Sequence, residues 1–90
     1  MTPEKVKKVL ATYREKLEEA NIPKKKFVHN GCPESDYEAL AHCHAMLDEM
    51  DIFIQENRMD KVFRWLGFLQ GCFWRIGIYR ISEMKNHNRP

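Results

Sequence analysis

A stripe of polar side chains in the middle of the chain is the first candidate for chemistry. Its members are Tyr37, His44, Asp48, Asp51 and Gln55, which share one flank of any helix that contains them. A histidine one turn from a carboxylate could bind a divalent metal or act as a general base, as in a metal-dependent hydrolase. One helix supplies too few ligands for a metal, so the structural alternative is pairing of His44 and Asp51 with Arg64 or Gln70 on a neighbouring helix.

A second candidate is the outward face of a helix predicted over residues 59–77. The core stripe of this helix is Val62, Leu66, Leu69, Phe73 and Ile76. The opposite face carries the candidate binding residues Arg64, Gly67, Phe68, Gly71 and Arg75, with Phe63 and a further candidate, Trp74, at its border. Each glycine costs about 1 kcal/mol against alanine inside a helix. We therefore expect something to approach the backbone closely at Gly67 and Gly71.

Three occupants of this face remain open. Another part of the chain could cross at the glycines, either the helix predicted over residues 1–21 or the Lys-rich loop over residues 22–34. A second copy could do so, because a two-fold interface needs only one self-complementary patch. A flat ligand could stack on Trp74 or Phe68 while Arg64 and Arg75, about 16 Å apart on an ideal helix, bind its phosphates.

The loop over residues 22–34 is rich in turn formers and positive charge. It supplies Lys24, Lys25 and Lys26 as candidate phosphate contacts. His29 and Cys32 form a His-x-x-Cys pair, but no second pair at zinc spacing follows. Cys43 and Cys72 fall on apolar faces, as expected of small core residues. We predict neither a bound metal nor a cofactor, and no catalytic residue.

Helix signals predict an all-α fold. Thr2 and Pro3 are typical of a helix start, Ser35 and Glu38 form a capping box, and Gly77 can end a helix in the left-handed conformation. The predicted helices span residues 1–21, 35–57, 59–77 and 80–88.

These helices predict one small domain over residues 1–90, a bundle of three main helices plus a short C-terminal helix. The brief connection at residues 57–58 makes the second and third helices an antiparallel hairpin. We expect Ile81 and Met84 to anchor the last helix and residues 87–90 to fray.

Charge and composition limit the function classes. The 90 residues are 43% hydrophobic, which is too apolar for disorder and too interrupted by charge for a membrane span. Residues 1–33 carry +4, residues 34–57 carry −7 and residues 58–90 carry +5. We expect these segments to neutralise each other, and the net charge of +2 argues against bulk nucleic-acid binding. No apolar leader opens the chain, so a cytoplasmic location is expected.

Part of the chain resembles a known group of proteins. The run Arg64-Trp-Leu-Gly-Phe-Leu-Gln-Gly71, then Trp74, residues 77–79 and residues 83–88 are similar to small open reading frames of tailed bacteriophages. The resemblance implies an accessory protein of the host cytoplasm and no activity. Such relatives place a threonine where this chain has Arg80, so we expect the last helix to start less firmly here.

The interpretation that follows is a non-enzymatic binding protein that forms homo-oligomers or meets its partner through the third helix. The phage resemblance implies that it occupies a host protein or sequesters a small phosphorylated signalling molecule. A nucleotide-binding module, including one for cyclic oligonucleotides, is the first alternative and would use Arg64, Trp74, Arg75 and Lys24 to Lys26. A metal-dependent hydrolase built on His44, Asp48 and Asp51 is the second.

Overall fold

The computed structural model describes residues 1–26 and 31–89, and these residues form four helices with no strand. The helices are α1 (Pro3–Glu19), α2 (Asp36–Gln55), α3 (Met59–Ile76) and α4 (Ile81–Asn88). The predicted all-α fold is confirmed, and each helix lies within two residues of its predicted bounds. His29 of the His-x-x-Cys pair lies outside the described residues.

Local hydrogen bonds explain where the helices begin. The Thr2 hydroxyl accepts from the Lys5 N–H at 3.1 Å, and the Ser35 hydroxyl accepts from the Glu38 N–H at 3.2 Å. At α4 the carboxylate of Glu83 accepts from the backbone N–H of Arg80 at 2.8 Å. Glu83 therefore caps the start of α4 by satisfying the backbone N–H of Arg80, although this chain has no threonine there.

The ends of α2 and α3 follow from residues that tolerate positive φ. Asn57 adopts φ 58° and reverses the chain between the two helices, which pack against each other as the predicted antiparallel hairpin. Gly77 adopts φ 92° and ends α3, as its position predicts.

The core lies where α1 crosses the α2–α3 hairpin. Apolar side chains spaced three or four residues apart bring one face of each helix inward. The residues with less than 2% exposure are Val6, Leu10, Tyr13, Leu17, Ala41, Cys43, Leu47, Met50, Val62, Leu69 and Phe73. The predicted core face of α3 is thus confirmed, and the opposite face of α3 is exposed to solvent.

A polar network fastens α4 to the bundle. The Tyr13 hydroxyl lies 2.9 Å from Nδ1 of His87 and accepts from Nε2 of Gln70 at 3.0 Å. The side-chain amides of Gln70 and Asn88 exchange two hydrogen bonds, at 2.7 and 3.1 Å. The expected fraying of residues 87–88 is therefore wrong, because these two side chains bind α1 and α3.

The apolar anchoring of α4 differs from the prediction at one position. Met84 is 8% exposed and packs inward, but Ile81 is 52% exposed. Ile81 is therefore not an anchor, and the polar network holds α4 against α1 and α3 instead. Within residues 1–26 and 31–89, no helix combines the length and the apolar character that crossing a membrane requires.

Candidate interaction surface

Ion pairs join the acidic part of α2 to the basic segment before it. Arg14 on α1 contacts Asp48 at 3.3 Å and Asp51 at 2.7 Å, and Lys24 contacts Asp48 at 3.0 Å. Partial burial raises the pKa of Asp48, but the hydrogen bond and charge of Lys24, aided by Arg14, hold it below its ordinary value. The predicted neutralisation is confirmed for the first basic segment.

The candidate phosphate contacts of the Lys-rich loop lie along α2. Lys24 and Lys26 pair with Asp48 and Glu49, and the backbone N–H of Lys25 donates to the carbonyl of Ala41 at 3.1 Å. A phosphate at Lys24 or Lys26 would have to displace a carboxylate. Phosphate binding by this loop stays a prediction, and the carboxylates of Asp48 and Glu49 would compete with the phosphate.

His44 has a structural position inside the protein. It is 3% exposed, and its Nδ1 lies 2.8 Å from the carbonyl oxygen of Ile22. That geometry makes Nδ1–H the donor, and the buried Nε2 has no hydrogen-bond partner among the described residues. The predicted pairing of His44 and Asp51 with Arg64 or Gln70 is wrong, because Asp51 binds α1 and Gln70 binds Tyr13 and Asn88.

The polar stripe of α2 does not converge into a site. His44 points inward, Tyr37 is 54% exposed, and Asp48 and Asp51 are held on the surface by α1. In the part of the chain that the structure describes, no three His, Cys, Asp or Glu side chains are grouped so that they could hold a metal ion. The geometry therefore gives the hydrolase alternative no support.

The outward face of α3 carries large apolar side chains in solvent. Phe63 is 40% exposed, Phe68 is 53% exposed and Trp74 is 55% exposed. His42 of α2 meets the edge of Phe68, with ring centroids 6.4 Å apart. Three half-exposed aromatic rings on one helix face are typical of an interaction surface.

Gly67 and Gly71 lie exposed on this face. Apart from the adjoining residues and backbone of α3 itself, a Cβ atom built at either glycine would meet no atom of a described residue within 4 Å. The first of the three predicted occupants is therefore wrong as far as the described residues go, since neither α1 nor the described part of the loop crosses at the glycines. An occupant from outside the chain stays a prediction.

Two arginine side chains also lie on the outward face of α3. Arg64 and Arg75 are exposed, and neither forms an ion pair or hydrogen bond with a described residue. Arg75 lines a groove of about 560 Å³ that runs beside Gly67 and Gly71, between α3 and the segment that starts α2. Four of the six predicted residues of this face line the groove, namely Gly67, Phe68, Gly71 and Arg75, and Arg64 and Trp74 are exposed elsewhere on α3.

Sequence reasoning missed two clusters. The Tyr13, Gln70 and His87 network carries no local motif. Cys43 and Cys72, in contrast, lie almost equally far from the hairpin turn at residue 57, and residues so placed meet across an antiparallel helix pair. The structure indeed brings the two thiols close together, and each perturbs the pKa of the other.

Comparisons with known proteins add no further constraint. No protein-family model matches the chain, and neither the curated proteins nor the solved structures compared with it contain a match.

Proposed function

We propose that this chain is a non-enzymatic interaction protein that pairs with a second copy of itself through the outward face of α3. The observation that carries the proposal is the pair of exposed glycines, Gly67 and Gly71, which lie between half-exposed aromatic rings and arginines that pair with no described residue. The resemblance of residues 64–88 to small tailed-phage proteins supports an accessory role without catalysis.

The glycines set how closely a second helix can approach. Side chains normally keep packed helices 8–10 Å apart, whereas glycines four residues apart allow the backbones to come closer. No described residue of the monomer packs on this surface, so among these residues the cost of two glycines in α3 brings no internal packing in return. A second helix across Gly67 and Gly71 supplies the missing contacts.

The edges of the face favour one orientation. Helix geometry places Phe63 and Trp74 on one side of the glycines, an aromatic edge, and Arg64 and Arg75 on the other, a cationic edge. In a parallel two-fold crossing, the cationic edge of each copy lies over the aromatic edge of the other. An antiparallel crossing would instead set arginine against arginine.

A domain of this size also benefits from pairing. A 90-residue chain buries a limited fraction of its surface, and oligomer formation is one way in which small proteins add apolar burial. Burying Phe63 and Trp74 would contribute about 25 cal/mol for each Å² of apolar surface removed from water.

Size-exclusion chromatography with light-scattering detection, which measures the molar mass in solution, tests this proposal. We expect the mass of the wild-type chain to rise from 10.8 kDa towards twice that value as concentration increases. Gly71→Leu should remain monomeric, because a leucine fits the open surface of the monomer and adds helix propensity but blocks the crossing. Ala11→Leu adds the same side chain to the exposed surface of α1 and should pair like the wild type.

A second pair of variants distinguishes a specific contribution of the aromatic edge from nonspecific association through exposed apolar side chains. Trp74→Ala should weaken association, whereas Ile52→Ala, which truncates a side chain of similar exposure on α2, should not. A wild-type protein that stays monomeric at every concentration, or a Gly71→Leu variant that pairs normally, would overturn the proposal.

A further inference from the structure

One wall of the groove beside Gly67 and Gly71 is acidic. Glu34 and Asp36, at the start of α2, line this groove together with Arg75 of α3. Both acidic residues are exposed, and neither forms an ion pair with Arg75 or with any other described residue. Since Arg75 belongs to the cationic edge, this acidic wall borders α3 on its cationic side.

Helix α4 borders α3 on the opposite, aromatic side. Asn88 of α4 exchanges two hydrogen bonds with Gln70 of α3. Ile81, at the other end of α4, lines a cavity of about 650 Å³ together with Trp74. Lys85 follows Ile81 by one turn on the same flank of α4 and is exposed. The flank of α4 beside Trp74 therefore presents Lys85 and the half-exposed Ile81 to solvent.

The charge around α4 is opposite to that of the acidic wall. The exposed bases Arg80, Lys85 and Arg89 form no ion pair with a described residue. The one acid of α4, Glu83, accepts from the backbone N–H of Arg80 at 2.8 Å. The two borders of α3 thus carry charges of opposite sign, and they cannot neutralise each other within one copy because α3 lies between them.

We propose that the acidic wall of each copy binds the basic flank of α4 in the other copy, an inference that rests on the parallel pairing proposed above. In a parallel two-fold crossing, each side of one α3 lies over the opposite side of the other α3. The acidic wall and α4 both lie beside the C-terminal half of α3, so this crossing also places them at the same height. The pair then contains the same contact twice, with Glu34 and Asp36 facing Lys85.

Charge reversal tests this contact. Glu34→Lys sets like charges opposite each other at both contacts of the pair, and so does Lys85→Glu. We expect either variant alone to raise the dissociation constant of the pair by roughly tenfold, because the two-fold axis repeats the repulsion. Glu15→Lys makes the same charge change on the exposed surface of α1 and should pair like the wild type. Light scattering over a concentration series gives the dissociation constants, and circular dichroism checks that each variant retains its helices.

A mixture of the two variants distinguishes a contact between copies from an effect within one copy. In a mixed pair, the introduced lysine of one chain faces the introduced glutamate of the other, and the remaining Glu34 faces the remaining Lys85. We therefore expect the mixture to pair about as tightly as the wild type. A mixture of Lys85→Glu with Glu15→Lys keeps one repulsive contact and should not recover the wild-type dissociation constant.

Two results would overturn the inference while pairing through α3 stands. One is a wild-type chain that pairs no more tightly than folded Glu34→Lys and Lys85→Glu variants. The other is a mixture of these variants that pairs as weakly as each variant alone. The behaviour of Gly71→Leu reports separately on the crossing at the glycines, and a wild-type chain that never pairs would remove both proposals.

Discussion

Exposed glycines inside a helix are costly residues, and α3 holds two of them. The structure offers Gly67 and Gly71 no neighbour among the described residues, so neither has a packing reason within the chain. Gly77 is different, because it adopts a φ of 92° that residues with a side chain rarely tolerate. The three glycines of this region thus have two distinct physical explanations.

This difference predicts opposite effects of alanine on stability. Gly71→Ala should raise the free energy of unfolding by about 0.5–1 kcal/mol, since the methyl group meets open space and alanine favours the helix. Gly77→Ala should lower it by about 1 kcal/mol, because alanine is strained at positive φ. Urea denaturation at concentrations where the chain is monomeric measures both, and a destabilising Gly71→Ala would mean that this surface is not open.

At the level of elements, α4 is held mainly by polar contacts. Its one buried apolar side chain is Met84, and the hydrogen bonds of His87 and Asn88 to Tyr13 and Gln70 supply most of its specificity. Because Gln70 already donates to the Tyr13 hydroxyl, we assign this hydroxyl as the donor to Nδ1 of His87, which is then unprotonated. The attachment of α4 is therefore sensitive to pH.

We predict that α4 loosens as the solution becomes acidic. Partial burial, with Lys5 adding to it and Glu83 opposing it, lowers the pKa of His87 in the folded protein below its ordinary value of 6.5. The unfolded chain then binds the proton more readily, so this contribution to stability is complete above pH 6.5 and is lost as pH falls through the folded-state pKa. Thermal unfolding at pH 7.5 and 5.5 measures the loss.

His87→Gln is the matched control for this pH effect. Glutamine can accept from Tyr13 but has no titratable group in this range, so the difference in thermal stability between the two pH values should shrink. An equal difference in the variant would assign the pH dependence to other groups.

For the whole molecule, charge is distributed unevenly. Three acids of α2, Asp48, Glu49 and Asp51, pair with bases of α1 and the loop. Arg64 and Arg75, in contrast, have no carboxylate among the described residues. The proposed parallel crossing satisfies them through the aromatic edge of the second copy. It follows that the two copies should align α3 in the same direction.

Spin labels placed at Asp60 test this orientation. Asp60 is exposed near the start of α3, nine residues before the centre of the crossing at residue 69. In a parallel pair the two labels lie at the same end, whereas an antiparallel pair separates them by about 27 Å along the helix axis. Pulsed dipolar spectroscopy on a chain whose native cysteines are replaced should give the short distance, and the long one would contradict the proposed edges.

Much of the fold could be predicted from local signals. Caps at Thr2 and Ser35, the glycine at 77 and the period of the apolar residues are properties of neighbouring residues, and they place the helices well. The errors concern long-range partners. Asp51 binds Arg14 rather than Arg64 or Gln70, and Ile81 faces solvent, because both outcomes depend on how α1 and α4 cross the hairpin.

By itself, the sequence determined the four helices, the core face of each main helix and the group of residues on the outward face of α3, because helical periodicity assigns faces without reference to other elements. Only the tertiary structure decided that nothing within the described chain covers Gly67 and Gly71, that His44 is an interior residue and that Cys72 meets Cys43 beside a cavity. Burial and contact depend on the relative placement of helices, which residues distant in the chain settle together.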